Sequence, residues 1–126
     1  METFQSKIKH GFLLRKKNGI SFLEIPSFLE AGFSKHCYTT RVGGVSSGCY
    51  ASLNLSRTRE NSPQNKEENY RRVCGALEVP YESLALVNYA HGDGIYRAAA
   101  ADAGKGIARE SNLPPCDAMI IDEEGI

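Results

Sequence analysis

The chain has no excess of charge, no membrane-length apolar run, no paired-cysteine motif and few histidines. Each shortage removes a class of function. Fifteen Lys and Arg are matched by fifteen Asp and Glu in 126 residues, so the formal net charge is zero. Bulk electrostatics therefore suggest neither a nucleic-acid nor a membrane-surface partner, and any anion site must be local. No stretch approaches the roughly 20 apolar residues that span a bilayer. Residues 1–9 are polar and lack a signal-peptide core, which sets the expectation of a cytoplasmic protein. The four cysteines, Cys37, Cys49, Cys74 and Cys116, nowhere form a CxxC pair. Without a secretory context they read as reduced thiols rather than as disulfides or a structural zinc site. Histidine occurs only as His10, His36 and His91, too few for a cluster of copper centres.

What remains is an ordinary globular composition, 41% hydrophobic and 24% charged, with length for one small domain. Residues 11–16 and 20–25 flank Lys17-Asn18-Gly19. Asn-Gly between apolar runs predicts a β-hairpin, because both residues tolerate positive φ. Pro26 ends the second strand, and residues 33–41 read as a third. Residues 43–62, rich in Gly, Ser, Asn and Arg, read as a long loop of the kind that often carries function. Ser62 fits an N-cap and Pro63 the first position of a helix. Tyr70, Val73, Cys74 and Leu77 share one face at helical spacing, and Pro80 fixes the end near Glu78. Residues 84–89 read as a buried strand and His91-Gly92-Asp93-Gly94 as a turn. Residues 95–97 read as a short return strand, 98–112 as a mobile surface connection and 118–121 as a further strand. The mixture indicates an α/β or α+β fold of mixed sheets with flanking helices.

The densest candidate chemistry lies in Thr39-Thr40-Arg41-Val42-Gly43-Gly44-Val45-Ser46. Gly43 and Gly44 allow backbone N–H groups to turn toward an anion. Arg41 supplies a planar cationic fork suited to phosphate, and Ser46 a hydroxyl. The alternatives stay open: a solvated arginine at a strand end, and a serine capping its own turn. His91 follows a predicted strand and precedes two glycines, so its ring can project into a cleft. Taken alone, a histidine at a strand end is usually structural or solvated.

These segments come in an ordered set with Tyr50-Ala51-Ser52-Leu53-Asn54-Leu55-Ser56, Glu68-Asn69-Tyr70-Arg71 and His91-Gly92. The set resembles the N-terminal half of the laccase-domain (YfiH-type) family. Its members were first labelled polyphenol oxidases and are now regarded as zinc-dependent purine nucleoside phosphorylases that also deaminate adenosine. The resemblance implies a YfiH-like fold, purine nucleosides and phosphate as partners, zinc as cofactor and an enzymatic role. His91 matches the family's first zinc ligand, although Tyr89-Ala90-His91-Gly92 departs from the usual Gln-Val-His-Gly. His91 and Arg41 are the implied catalytic residues, with Arg41, Gly43, Gly44 and Ser46 placing phosphate or substrate. Asn54 and Asn69 match family positions and read as ties between loop and helix.

The family's other two zinc ligands, a cysteine in Ala-Asp-Cys and a histidine in His-Ala-Gly-Trp, have no counterpart here. Asp117-Ala118-Met119-Ile120-Ile121-Asp122 resembles the strand preceding that cysteine. The expectation is thus an N-terminal portion, residues 1–126, of one such domain, incomplete on its C-terminal side. It would be inactive alone, without stoichiometric zinc, and prone to self-association through exposed strand edges. The competing readings are a non-catalytic nucleoside-binding or interaction domain, a copper polyphenol oxidase and a cysteine hydrolase.

Overall fold

The computed structural model describes residues 6–7, 11–59 and 62–126. Its contacts divide the chain into two compact units, residues 1–79 and 80–126. The architecture is α+β: mixed sheets with a few helices.

The first unit is built on an antiparallel sheet in the order β1 (Ser6–Lys7), β2 (Leu13–Lys17), β3 (Ile20–Glu24) and β4 (Tyr38–Thr39). Asn18 at φ 50° and Gly19 at φ 80° form the tight turn expected of Asn-Gly, with Lys17 opposite Ile20. Pro26 ends β3 and also opens a short helix, α1 (Pro26–Glu30), since its fixed φ suits the first helical position. The third strand is much shorter than residues 33–41. Phe33 N–H instead bonds Phe28 O behind the helix, and Gly32 turns the chain at φ 93°. His36 then locks this corner: its Nε2 accepts from Ile25 N–H at 2.8 Å, and Nδ1 lies 2.7 Å from Phe33 O. Only Tyr38 and Thr39 join the ladder as strand, opposite Leu23 and Phe22.

Helix α2 (Pro63–Leu77) begins where the sequence places it. The Ser62 hydroxyl caps Asn65 N–H at 3.2 Å, Pro63 starts the first turn, and Glu78 closes the helix in a left-handed conformation. Its buried face is wider than the apolar positions alone predict. Asn69, Cys74 and Ala76 are buried, whereas Tyr70, Val73 and Leu77 are half-buried. Ile20, Phe22, Leu53 and Ala76 form the core of this unit, with Cys37, Leu55 and Val73 packed against it. Burial raises the pKa of the Cys37 thiol, aided by the nearby Glu24 carboxylate.

The second unit carries a two-stranded parallel sheet, β5 (Ile95–Ala98) beside β6 (Ala118–Ile121), with Ile95 opposite Ala118. Residues 84–89 are not a buried strand. Their backbone forms only scattered bonds, among them Leu86 N–H to Lys105 O and Gly104 N–H to Leu84 O, and they are half-buried or exposed. Residues 95–97 therefore do not return on them; they pair with β6. The 98–112 connection folds around a buried aspartate. Asp102 accepts from Tyr96 Oη (3.1 Å), Ala99 N–H (2.9 Å) and Lys105 Nζ (2.6 Å). The Lys105 ammonium, then the Ala99 N–H and the Tyr96 hydroxyl, hold its pKa down at about 2 against a raising effect of burial. Ile95, Ile120 and Ile121 are exposed on this small sheet. Among the described residues no helix is long and apolar enough to cross a membrane.

Candidate functional site

The Gly-rich segment is held by two polar hubs. The first is Ser52. Its hydroxyl donates to Arg41 O (2.9 Å) and accepts from Gly43 N–H (3.1 Å) and Gly44 N–H (3.2 Å). Ser52 and Leu53 N–H also bond Arg41 O, and Ser46 N–H bonds Ser52 O. Both glycines answer a need for close backbone approach. A Cβ on Gly43 would meet Gly19 O at 2.2 Å, and one on Gly44 would meet Ser52 O at 2.0 Å. Their N–H groups thus turn toward an oxygen, as the sequence suggests, but that oxygen belongs to Ser52.

The second hub is Asn69, fully buried. Its Oδ1 accepts from Val45 N–H at 2.8 Å, while Nδ2 donates to Ser46 Oγ and Asn54 O, both at 2.9 Å. A donor faces Oδ1 and a carbonyl faces Nδ2, so only one orientation of the amide fits. Ser46 is buried within this network. Asn54 ties the loop to itself, accepting from Ser56 N–H and donating to Arg59 O. Tyr70 Oη donates to Leu55 O at 2.7 Å, and Arg72 donates to Gly43 O at 2.8 Å. The loop is thereby fixed to α2. Arg41 is exposed, and its guanidinium has no hydrogen-bonding or ionic partner among the described residues. A rigid backbone presenting a free guanidinium can grip a phosphate through two parallel bonds.

His91 lies in the second unit, exposed and in the left-handed region at φ 57°. The Asp117 carboxylate holds its turn. Asp117 Oδ1 accepts from Ala90 N–H (3.1 Å) and His91 N–H (2.8 Å), and Oδ2 from Gly92 N–H (2.6 Å). These donors, Gly92 first and then His91 and Ala90, lower the Asp117 pKa despite partial desolvation; the His91 charge lowers it further. In the sequence Asp117 stands immediately before the 118–121 strand, in the segment that resembles a family strand, and nothing local names its partners at residues 90–92.

A shallow cavity of about 260 Å³ in the first unit is lined by Arg15, Lys17, Phe22, Glu24, Lys35 and Glu78 among others, and not by Arg41, Gly43, Gly44, Ser46 or His91. Two of its cations are paired with its two carboxylates: Arg15 with Glu24 at 2.6 Å and Lys17 with Glu78 at 3.3 Å.

A family model described as multi-copper polyphenol oxidoreductase laccase matches residues 35–126. The chain belongs to this family. A purine nucleoside phosphorylase of Deinococcus radiodurans is 38% identical to the chain over 79 residues, which cover 63% of this chain and 31% of the relative. The crystal structure of YlmD from Geobacillus stearothermophilus superposes with a TM-score of 0.61 at 21% identity, covering 99% of this chain and 43% of that one. At that identity the superposition shows the YfiH-like fold. The chain spans less than half the length of either protein.

Zinc, implied by the family resemblance, needs three protein ligands at a catalytic site. Among the described residues no three His, Cys, Asp or Glu side chains come together. His91 offers one imidazole, and the Asp117 carboxylate is engaged by backbone. The residues present do not by themselves fit a catalytic zinc.

Proposed function

We propose that this chain is part of a purine nucleoside phosphorylase, one that cleaves adenosine or inosine with inorganic phosphate to the free base and ribose 1-phosphate. The similarity to the Deinococcus radiodurans phosphorylase carries the reading. In it, Arg41 grips the phosphate from a loop stiffened by Ser52 and Asn69. His91, exposed on its fixed turn, would give one imidazole to a zinc ion. Adenosine deamination is the companion activity in this reading. Gly43, Gly44 and Ser46 serve the phosphate indirectly, by holding the backbone that carries Arg41.

The test is phosphate-dependent release of base and ribose 1-phosphate, measured for this chain and for a protein extended to the relatives' length. The expected result is turnover by the extended protein and none by the 126-residue chain. Nucleoside binding without turnover in the extended protein would replace this reading with that of a binding module. Oxygen consumption with a phenol and copper would replace it with the oxidase chemistry of the family's label.

A further inference from the structure

We propose that Asp117 is the positioning residue for His91, its carboxylate filling a cradle of three backbone N–H groups and so fixing the direction of the imidazole. The functional part of this inference rests on the proposed role of His91; the structural part does not. An L-residue in the left-handed region is disfavoured by contact between its Cβ and backbone, so the turn at His91 needs an external hold. Asp117 provides it through both oxygens at 2.6–3.1 Å. Consecutive N–H groups converging on one point form an anion-binding concavity, and here the anion is internal.

The hold is anchored on rigid backbone. Cys116 N–H bonds Asn88 O at 3.0 Å on one flank of the turn. Asp117 N–H bonds Gly94 O at 2.9 Å and Ala118 N–H bonds the same oxygen at 3.3 Å on the other. The next residues enter β6, paired with β5. Cys116 is buried. Residues 88–94 are therefore clasped at both ends and at the centre by 116–118. Two acceptor oxygens meeting three donors is a carboxylate geometry. An asparagine would set an NH₂ against at least one N–H, and an alanine would leave all three without this partner.

The experiment compares wild type, Asp117→Asn and Asp117→Ala in the 126-residue chain by amide and imidazole NMR. In Asp117→Ala, hydrogen exchange of Ala90, His91 and Gly92 should speed by at least about tenfold and the His91 ring signals should shift. The amides of residues 95–98 should stay protected. Asp117→Asn, nearly isosteric, should free only part of the cradle and guards against a variant that fails to fold. Unchanged exchange at all three amides with unchanged ring signals would overturn the proposal. In an extended protein with phosphorylase activity, Asp117→Asn should lower kcat several-fold, leave the KM for phosphate nearly unchanged and leave Tm within a few degrees. An unchanged kcat alongside freed amides would overturn the functional part. An inactive wild-type extended protein would instead reject the phosphorylase reading, while the amide data still decide whether Asp117 holds the turn.

Discussion

Asn69 sits fully buried at the centre of a helix face. Replacing it with Ala orphans Val45 N–H and Asn54 O, at about 1–3 kcal/mol for each buried group left unpaired. We expect Asn69→Ala to cost about 3 kcal/mol, measured by urea unfolding. A loss below about 1 kcal/mol would mean that water replaces the amide. Asp102 makes a pH prediction. Its carboxyl is held down at about 2 in the folded chain, below the ordinary aspartate value of 3.8. The stabilisation is therefore present above the unfolded pKa and lost as pH falls through the folded one. The Tm gap between wild type and Asp102→Asn should be constant above about pH 5 and shrink between about pH 4 and 2; a gap that does not vary with pH would contradict it. Arg41→Ala tests the anion role. A charge-assisted bond is worth about 1.5–3 kcal/mol, so the KM for phosphate of an active, extended protein should rise at least about tenfold with little change in Tm.

At the scale of elements, local signals were strong wherever the chain supplied its own partners. The Asn18-Gly19 turn and the Ser62-Pro63 helix start were legible because positive φ, proline geometry and capping act within a few residues. The strands at 33–41 and 84–89 were misread because an apolar run does not name its pairing partner. The His36 ring captured one segment, and scattered bonds to residues 104–105 held the other. The loop at 43–56 makes a sharper test. Gly43→Ala and Gly44→Ala each drive a Cβ into backbone and should cost more than about 2 kcal/mol, as overpacking does. Gly48→Ala meets open space at φ 63° and should cost only about 1 kcal/mol. Equal costs would remove close approach as the reason for the paired glycines.

For the whole molecule, the parallel β5–β6 pair is the feature least suited to isolation. Parallel sheets normally lie covered on both faces, yet Ile95, Ile120 and Ile121 are exposed. We expect the 126-residue chain to self-associate at high concentration, measured by sedimentation, and Ile120→Lys to weaken that association. A wild-type chain that stays monomeric at several hundred micromolar would rule it out.

The sequence alone determined the hairpin turn, the bounds of the long helix, the family resemblance and the choice of Arg41 and His91. Each is written in residues near one another or in ordered motifs. Only the tertiary structure decided that the Gly43 and Gly44 N–H groups face Ser52, that Asn69 is a buried hub and that Asp117 holds the His91 turn. Those partners lie 8 to 27 residues apart in the chain. A donor or acceptor shows its capacity in the sequence, but which group satisfies it depends on what folding brings within about 3 Å.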